Sequence, residues 1–206
     1  MLDVLQISLP QTDYFAPKVN VYLLKKLKLL IDAGPANLQS FKLLETILAE
    51  NNLSFNELNG IILTHHHNDH IGLLKFLPHT IPVFCDNSIK YYGSKQFLRD
   101  ISRVIAELKL PEKIKNELIS HLRSRYCPFI NNYQIFPIEN LPLLSYVMRG
   151  HSALDNVIQF KDMLFTGDLI LKGIYFNNLL DLYPKTRQIQ KNQANDFIES
   201  LSKIKK

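Results

Sequence analysis

Thr64-His65-His66-His67-Asn68-Asp69-His70 follows directly on Gly60-Ile61-Ile62-Leu63. A continuous apolar run of this kind predicts a buried strand, which places the polar segment at a strand end. Four imidazoles and one carboxylate within six residues can bring several nitrogen and oxygen donors to one point without ordering a long loop. Imidazole combined with carboxylate suits Zn2+, Mn2+ or Fe2+. The whole chain has only seven histidines in 206 residues, so a polar loop rich in histidine by chance explains the cluster poorly.

The surroundings predict an α/β chain. Upstream, the runs 4–9, 19–24 and 27–32 are short and β-like, separated by Pro10, Pro17 and the Lys25-Lys26 pair, and they suggest an antiparallel opening. The third run stops at Asp32-Ala33-Gly34-Pro35, and a helix with Phe41, Leu43, Leu44, Ile47 and Leu48 on one face is expected next. Ser54 and Glu57 have capping-box spacing. Residues 94–126 change character. Phe97, Leu98, Ile101, Val104, Ile105 and Leu108 recur at helical spacing, as do Ile114, Leu118, Ile119 and Leu122 after Pro111, which predicts a helical hairpin. Short strands are expected around 133–136, 144–148, 157–160 and 163–166, and a last helix over 187–204.

Composition bounds the function classes. Apolar residues at 46% and charged residues at 21% are those of a globular protein. The net charge of +5 is uneven: residues 94–126 hold eight Lys or Arg against four acids, and residues 185–206 hold six against two. The rest of the chain is slightly acidic. Two basic segments suit an anionic small-molecule substrate; with no interleaving of aromatic and basic residues, nucleic acid ranks below it. The longest apolar stretches fall far short of the ~18 residues that cross a bilayer, so no membrane span is expected. MLDVLQISLPQTDY lacks the basic region of a signal peptide. Cys85 and Cys127 form no C-x-x-C pair and read as reduced thiols, and a cytoplasmic protein is expected.

His65, His67, Asp69 and His70 form an H-x-H-x-D-H pattern that resembles the hallmark of the metallo-β-lactamase fold hydrolases. Other segments resemble that family in the same order. They are Asn20-Val21-Tyr22-Leu23 with Leu29-Leu30-Ile31-Asp32-Ala33-Gly34-Pro35, then Gly150-His151-Ser152, then Phe165-Thr166-Gly167-Asp168. The resemblance covers about residues 2–170. It implies an αββα sandwich of α/β class, with residues 94–126 as a helical insertion. It also implies two divalent metal ions, Zn2+ first and Mn2+ or Fe2+ as alternatives. His65, His67 and His151 would bind the first ion, Asp69 and His70 the second, and Asp168 would bridge them. A water between two such ions ionises at about pH 7 rather than about 15.7 and becomes a metal-bound hydroxide nucleophile. Asp69 is the catalytic residue expected to orient it and take its proton.

The chain departs from the family pattern in one main respect. The resemblance implies a further histidine for the second metal, in a proline-glycine-histidine turn beyond the bridging aspartate, and no histidine follows His151. The expectation is therefore one domain over residues 1–206 that lacks the final strand and holds its second metal weakly. Arg149 also stands where a proline is common, and Ala153-Leu154-Asp155 replaces the usual continuation of that motif. Similarity to the glyoxalase II-like branch implies hydrolysis of a thioester, ester or lactone. Two alternatives stay open: a phosphodiester hydrolase acting on nucleic acid, and a truncated or degenerate metal-binding domain without activity.

The remaining candidates read as structural or peripheral. His66 is expected to turn away from the ligands by strand alternation. His79 reads as a loop residue, His121 as a solvated position on the second inserted helix, and Cys85 as a small buried apolar residue. In the family Asp32 serves the turn near the metals. The basic hairpin stands where family members insert elements that cover the active site, which makes Arg99, Arg103, Lys113 and Arg123 candidate substrate contacts. Tyr175 and Tyr183 lie where the family places substrate-contacting residues.

Overall fold

Val19, Val21 and Leu23 occupy alternate positions of the strand Lys18–Leu24 (β2) and are buried, while Lys18 and Asn20 are exposed and Tyr22 is half-buried. The strand Val4–Pro10 (β1) keeps the same period, with Ile7 and Leu9 inside, and pairs antiparallel to β2 with Ile7 opposite Val21. The protein is seen as a computed structural model describing residues 3–11, 18–87, 89–125, 133–135, 141–171, 181–190 and 193–204. Contacts divide it into two units, one of Met1–Asn87 with Cys127–Leu141, the other of Ser88–Tyr126 with Pro142–Lys206.

In the first unit, Leu29–Ile31 (β3) continues antiparallel to β2. Gly60–Ile62 (β4), Val83–Cys85 (β5) and Tyr133–Ile135 (β6) then follow in parallel, giving the order β1-β2-β3-β4-β5-β6. Every residue of β3, β4 and β5 is buried, which is why these strands read as unbroken apolar runs rather than alternating ones. Helix Leu38–Glu50 (α1) links β3 to β4 and turns Ser40, Leu44 and Leu48 inward. Its start is fixed twice over. Asn37 caps it by accepting from the Ser40 N–H at 2.8 Å, and both Asn37 Nδ2 and Ser40 Oγ donate to the Pro10 carbonyl at 3.0 and 2.7 Å. The expected capping box is also present, with the Ser54 N–H and hydroxyl both donating to Glu57 Oε2 at 2.8 Å.

Asp32 follows β3 and Thr64 follows β4, so two loops leave the same ends of adjacent parallel strands, the usual place for a site in an α/β sheet. Between them the chain makes a clasp. The N–H groups of Ala33 and Gly34 both donate to the His70 carbonyl, at 2.8 and 3.0 Å, and Leu73 N–H donates to the Gly34 carbonyl at 3.0 Å. Gly34 has φ +97°, and a Cβ there would lie 2.4 Å from Leu9 Cδ1, so only glycine fits the turn. The segment around His67 is coil up to the helical turn Asn68–Ile71 (α2), opened by His70 N–H donating to the His67 carbonyl at 2.9 Å.

The second unit holds Ile89–Tyr92 (α3), Lys95–Glu107 (α4), Glu112–Arg125 (α5), the antiparallel sheet of Leu143–Met148 (β7), Asp155–Phe160 (β8) and Met163–Phe165 (β9), and Gln193–Ile204 (α6). The helical hairpin is present, with Ser94 capping α4. Ile101, Ile105 and Leu182 form its core with Phe97, Val104, Ile119 and Leu122 packed around them. Fully burying side chains of this size stabilises by about 2 kcal/mol each.

One boundary differs from expectation. The last helix starts at Gln193, not at residue 187, because the preceding residues fold back on themselves. Leu182 bridges Ile189, Tyr183 N–H donates to the Gln188 carbonyl at 2.9 Å, and Arg187 N–H donates to the Tyr183 carbonyl at 2.7 Å with Arg187 at φ +56°. Pro17, Cys127, Phe136 and Tyr175 lie outside the described residues.

Candidate metal centre

The first unit gathers three imidazoles. The His65 ring is centred 4.6 Å from that of His67 and 4.1 Å from that of His70. His65 and His70 are buried, while His67 and Asp69 are half-buried. Local structure explains the convergence: coil after β4 places His65 and His67, and the turn of α2 then brings Asp69 and His70 round beside them.

Hydrogen bonding decides which ring nitrogens face a ligand. Asp32 Oδ1 accepts from the Thr64 N–H and Asp32 Oδ2 from the Thr64 hydroxyl, each at 2.8 Å. A hydroxyl has one proton, and Thr64 gives it to a carboxylate that can only accept, so the contact of 3.0 Å between Thr64 Oγ1 and His65 Nδ1 must be a bond donated by the ring. His70 Nδ1 likewise donates to Asp32 Oδ2 at 2.8 Å. In both rings Nδ1 carries the proton and Nε2 bears the lone pair a metal needs. A carboxylate behind a ligand histidine fixes its tautomer and raises its basicity. Asp32 adopts φ +62°, a left-handed conformation that an aspartate in a turn tolerates. Tyr22 beside it has its phenol pushed above the usual value, first by burial and then by the Asp32 charge.

Asp69 is also held. Gln11 Nε2 donates to Asp69 Oδ2 at 3.2 Å, and the same oxygen lies 3.9 Å from His70 Nε2. The donor set of this unit, imidazole with carboxylate and with two tautomers fixed, fits a divalent cation.

The second unit carries the other two expected ligands side by side, with His151 Nε2 lying 3.8 Å from Asp168 Oδ2. The loop that carries His151 is pinned by buried acids. Asp155 accepts the Ser152 N–H at 2.9 Å and the Ser152 hydroxyl at 2.7 Å, while Asp181 accepts the N–H groups of Ala153 and Leu182, each at 2.8 Å. Burial pushes both carboxyls up to about 7; in Asp155 the Ser152 bonds oppose the shift and the charges of Asp181 and Asp168 add to it. Gln190 Nε2 donates to the Ser152 carbonyl at 3.2 Å and to Asp196 at 3.1 Å, and Ser200 on α6 both accepts the Arg149 N–H and donates to its carbonyl.

The sequence model of the metallo-β-lactamase superfamily matches residues 16–83, a stretch that runs from β2 to β5 and includes the histidine motif. A metallo-β-lactamase family protein of known structure from Thermus thermophilus, TTHA1429, superposes with a TM-score of 0.72 at 24% identity, over 98% of this chain and 69% of its own. This chain has the metallo-β-lactamase fold. Among curated proteins, the chain is 29% identical over 223 aligned positions to the probable metallo-hydrolase YqjP of Bacillus subtilis strain 168, covering 98% of the chain and 67% of YqjP. AidC, a dizinc quorum-quenching lactonase, matches in fold with a TM-score of 0.52 at 19% identity, over 74% of this chain and 57% of its own.

Within this fold the smaller expectations sort as follows. His66 lies in coil, where strand alternation does not apply, and is half-buried. His79 and His121 are exposed, and Cys85 is buried in β5. Arg99 donates to Gln96 at 2.6 Å, and Arg103 lies 3.9 Å from Asp100, a buried acid that Tyr91 and Gln96 also hold. Lys113 and Arg123 are exposed on α5. Tyr183 donates to Asp196 at 2.7 Å with Arg149 over its ring. Sequence reasoning assigned no role to Gln11, Asp155 or Asp181. Among the described residues no helix is long and apolar enough to cross a membrane.

Proposed function

We propose that this chain is a metal-dependent hydrolase of thioesters, esters or lactones. The observation that carries the reading is the relay His65–Thr64–Asp32–His70, which spends one buried carboxylate on presenting two imidazole Nε2 atoms in the metal-binding tautomer. His65 and His67, with His151, would hold one ion, Asp69 and His70 would hold the other, and Asp168 would serve both. Zinc is the first choice, in keeping with the dizinc lactonase of the same fold. When bound, two such ions bring a water's pKa down to about 7 and polarise a carbonyl oxygen. Asp69 orients the attacking water and receives its proton. Asp32 and Thr64 keep His65 and His70 in one tautomer through turnover. The chain would act as a single catalytic domain, and the basic side chains of α4 and α5 favour anionic or acyl-bearing substrates. The buried thiol of Cys85 and the composition suit the cytoplasm.

Metal analysis after loading with Zn2+ or Mn2+ tests the reading at its base: two equivalents are expected, and none in a folded sample would end it. Asp168→Ala is expected to abolish turnover and lower metal content. Turnover of S-acyl thioesters and lactones, compared with that of a bis-aryl phosphodiester, separates acyl from phosphoryl chemistry. Faster phosphodiester cleavage would replace the acyl assignment.

A further inference from the structure

Gln11 stands just beyond the end of β1, and its side chain reaches a residue 58 positions away, with Nε2 donating to Asp69 Oδ2 at 3.2 Å. A carboxylate can only accept, so the amide nitrogen must be the atom that faces Asp69, and Oε1 points elsewhere. That oxygen is buried and has no hydrogen-bond partner among the described residues. Among the described residues the carboxamide is therefore anchored by its contact with Asp69 and not by a network of its own. A half-buried glutamine at a strand end could satisfy both of its polar atoms by turning to water, and here it does not.

Asp69 Oδ2 is at the same time 3.9 Å from His70 Nε2. Those two atoms belong to neighbouring residues of one helical turn, and their spacing depends on the rotamer of Asp69. His70 is fixed from behind by Asp32. Among the described residues, the side chain that holds the Asp69 oxygen by a hydrogen bond is Gln11. A neutral donor suits this place. It takes one lone pair of Oδ2 without bringing a positive charge toward a cation, as lysine or arginine would.

We propose that Gln11 is a positioning residue for Asp69, setting the carboxylate rotamer so that Asp69 and His70 act as a pair on the second metal ion. The proposal rests on the assignment of Asp69 and His70 to that ion made above. It concerns that ion in particular, because the carboxamide nitrogen is engaged by Asp69, a ligand of the second ion and not of the first.

Gln11→Met keeps the length of the side chain and removes the donor; Gln11→Ala removes both. Each variant and the parent chain are titrated with Co2+, following the visible absorption of the bound ion. Thermal melting of the metal-free forms is expected to coincide. The first Co2+ binds as in the parent. The second binds about tenfold or more weakly in both variants, the size expected for loss of support behind a ligand, and its absorption band shifts. A role in packing alone predicts the reverse, a lower melting temperature with both Co2+ events unchanged, and that result overturns the proposal while leaving the metal assignment standing. A parent chain that takes up no second Co2+ overturns the assignment itself, and with it the role of Gln11.

Discussion

Asp32 and His70 are joined by a hydrogen bond of 2.8 Å between Oδ2 and Nδ1, with both side chains only 3% exposed. Because the same carboxylate also takes two bonds from Thr64, it meets three donors. Asp32→Asn has one acceptor oxygen and an NH2 group that must face at least one of those donors. We expect the variant to bind Zn2+ 10- to 100-fold more weakly, by analogy with other residues that support metal ligands. It should also lose on the order of 1–3 kcal/mol of metal-free stability from the unpaired buried group. Competition with a chromophoric chelator and urea unfolding measure the two effects. Parent-like affinity would remove Asp32 from the site.

Thr64→Val tests the hydroxyl alone. The backbone N–H of residue 64 still reaches Asp32, so the loop keeps its course, but His65 Nδ1 loses its acceptor. Metal affinity should fall about tenfold, with a smaller loss than in Asp32→Asn because His70 keeps its carboxylate. If the two variants lose equally, the tautomer assignment for His65 is wrong.

The pH dependence of stability follows from Asp155 and Asp181, both pushed up to about 7 from an ordinary value of 3.8, chiefly by burial. Between about pH 4 and 7 the folded state holds protons that the unfolded chain has released. Stability is therefore greatest below the unfolded pKa and falls as pH rises toward 7, by a few kcal/mol in all. The urea midpoint of the metal-free chain should be higher at pH 5 than at pH 7.5. Asp155→Asn, a neutral side chain of the same shape, should flatten that slope. A midpoint that rises across the range would contradict the assignment.

Gly150→Ala addresses how α6 reaches the histidine loop. A Cβ at residue 150 would sit 3.0 Å from the Phe197 backbone and 3.0 Å from Leu169 Cδ1, at φ +155°. Backbone cannot yield as a side-chain tip can, so α6 must shift. A loss of about 1–3 kcal/mol is expected on overpacking of this kind, read by urea unfolding. The Ser200 bonds to Arg149 should loosen with it, seen as faster amide exchange in α6. Unchanged exchange would show that the helix tolerates the methyl group.

Much of the fold was legible in residue type and period alone. The alternation of Val19, Val21 and Leu23 marks a half-buried strand, the unbroken run Gly60–Ile62 marks a fully buried one, and the stripe from Phe97 to Ile105 marks a helix face. These patterns report burial directly, because each element meets the core through its own repeat. The start of the last helix is not legible in the same way, because the back-folding between Leu182 and Ile189 rests on pairing across a turn, which no helical or strand period records.

At the metal centre the division falls in a similar place. Residue order was enough to supply the donors: His65, His67, Asp69 and His70 are close in space because they are close in the chain, and their chemistry belongs to their side chains. How they are held is a property of the folded chain. Asp32 lies 32 positions from Thr64 and 38 from His70, and Gln11 lies 58 from Asp69. Those partners meet only because β1, β3 and β4 end at the same edge of one sheet, with β2 between β1 and β3. A ring's tautomer and a carboxylate's rotamer depend on what stands behind them, and strand pairing, not residue spacing, puts it there.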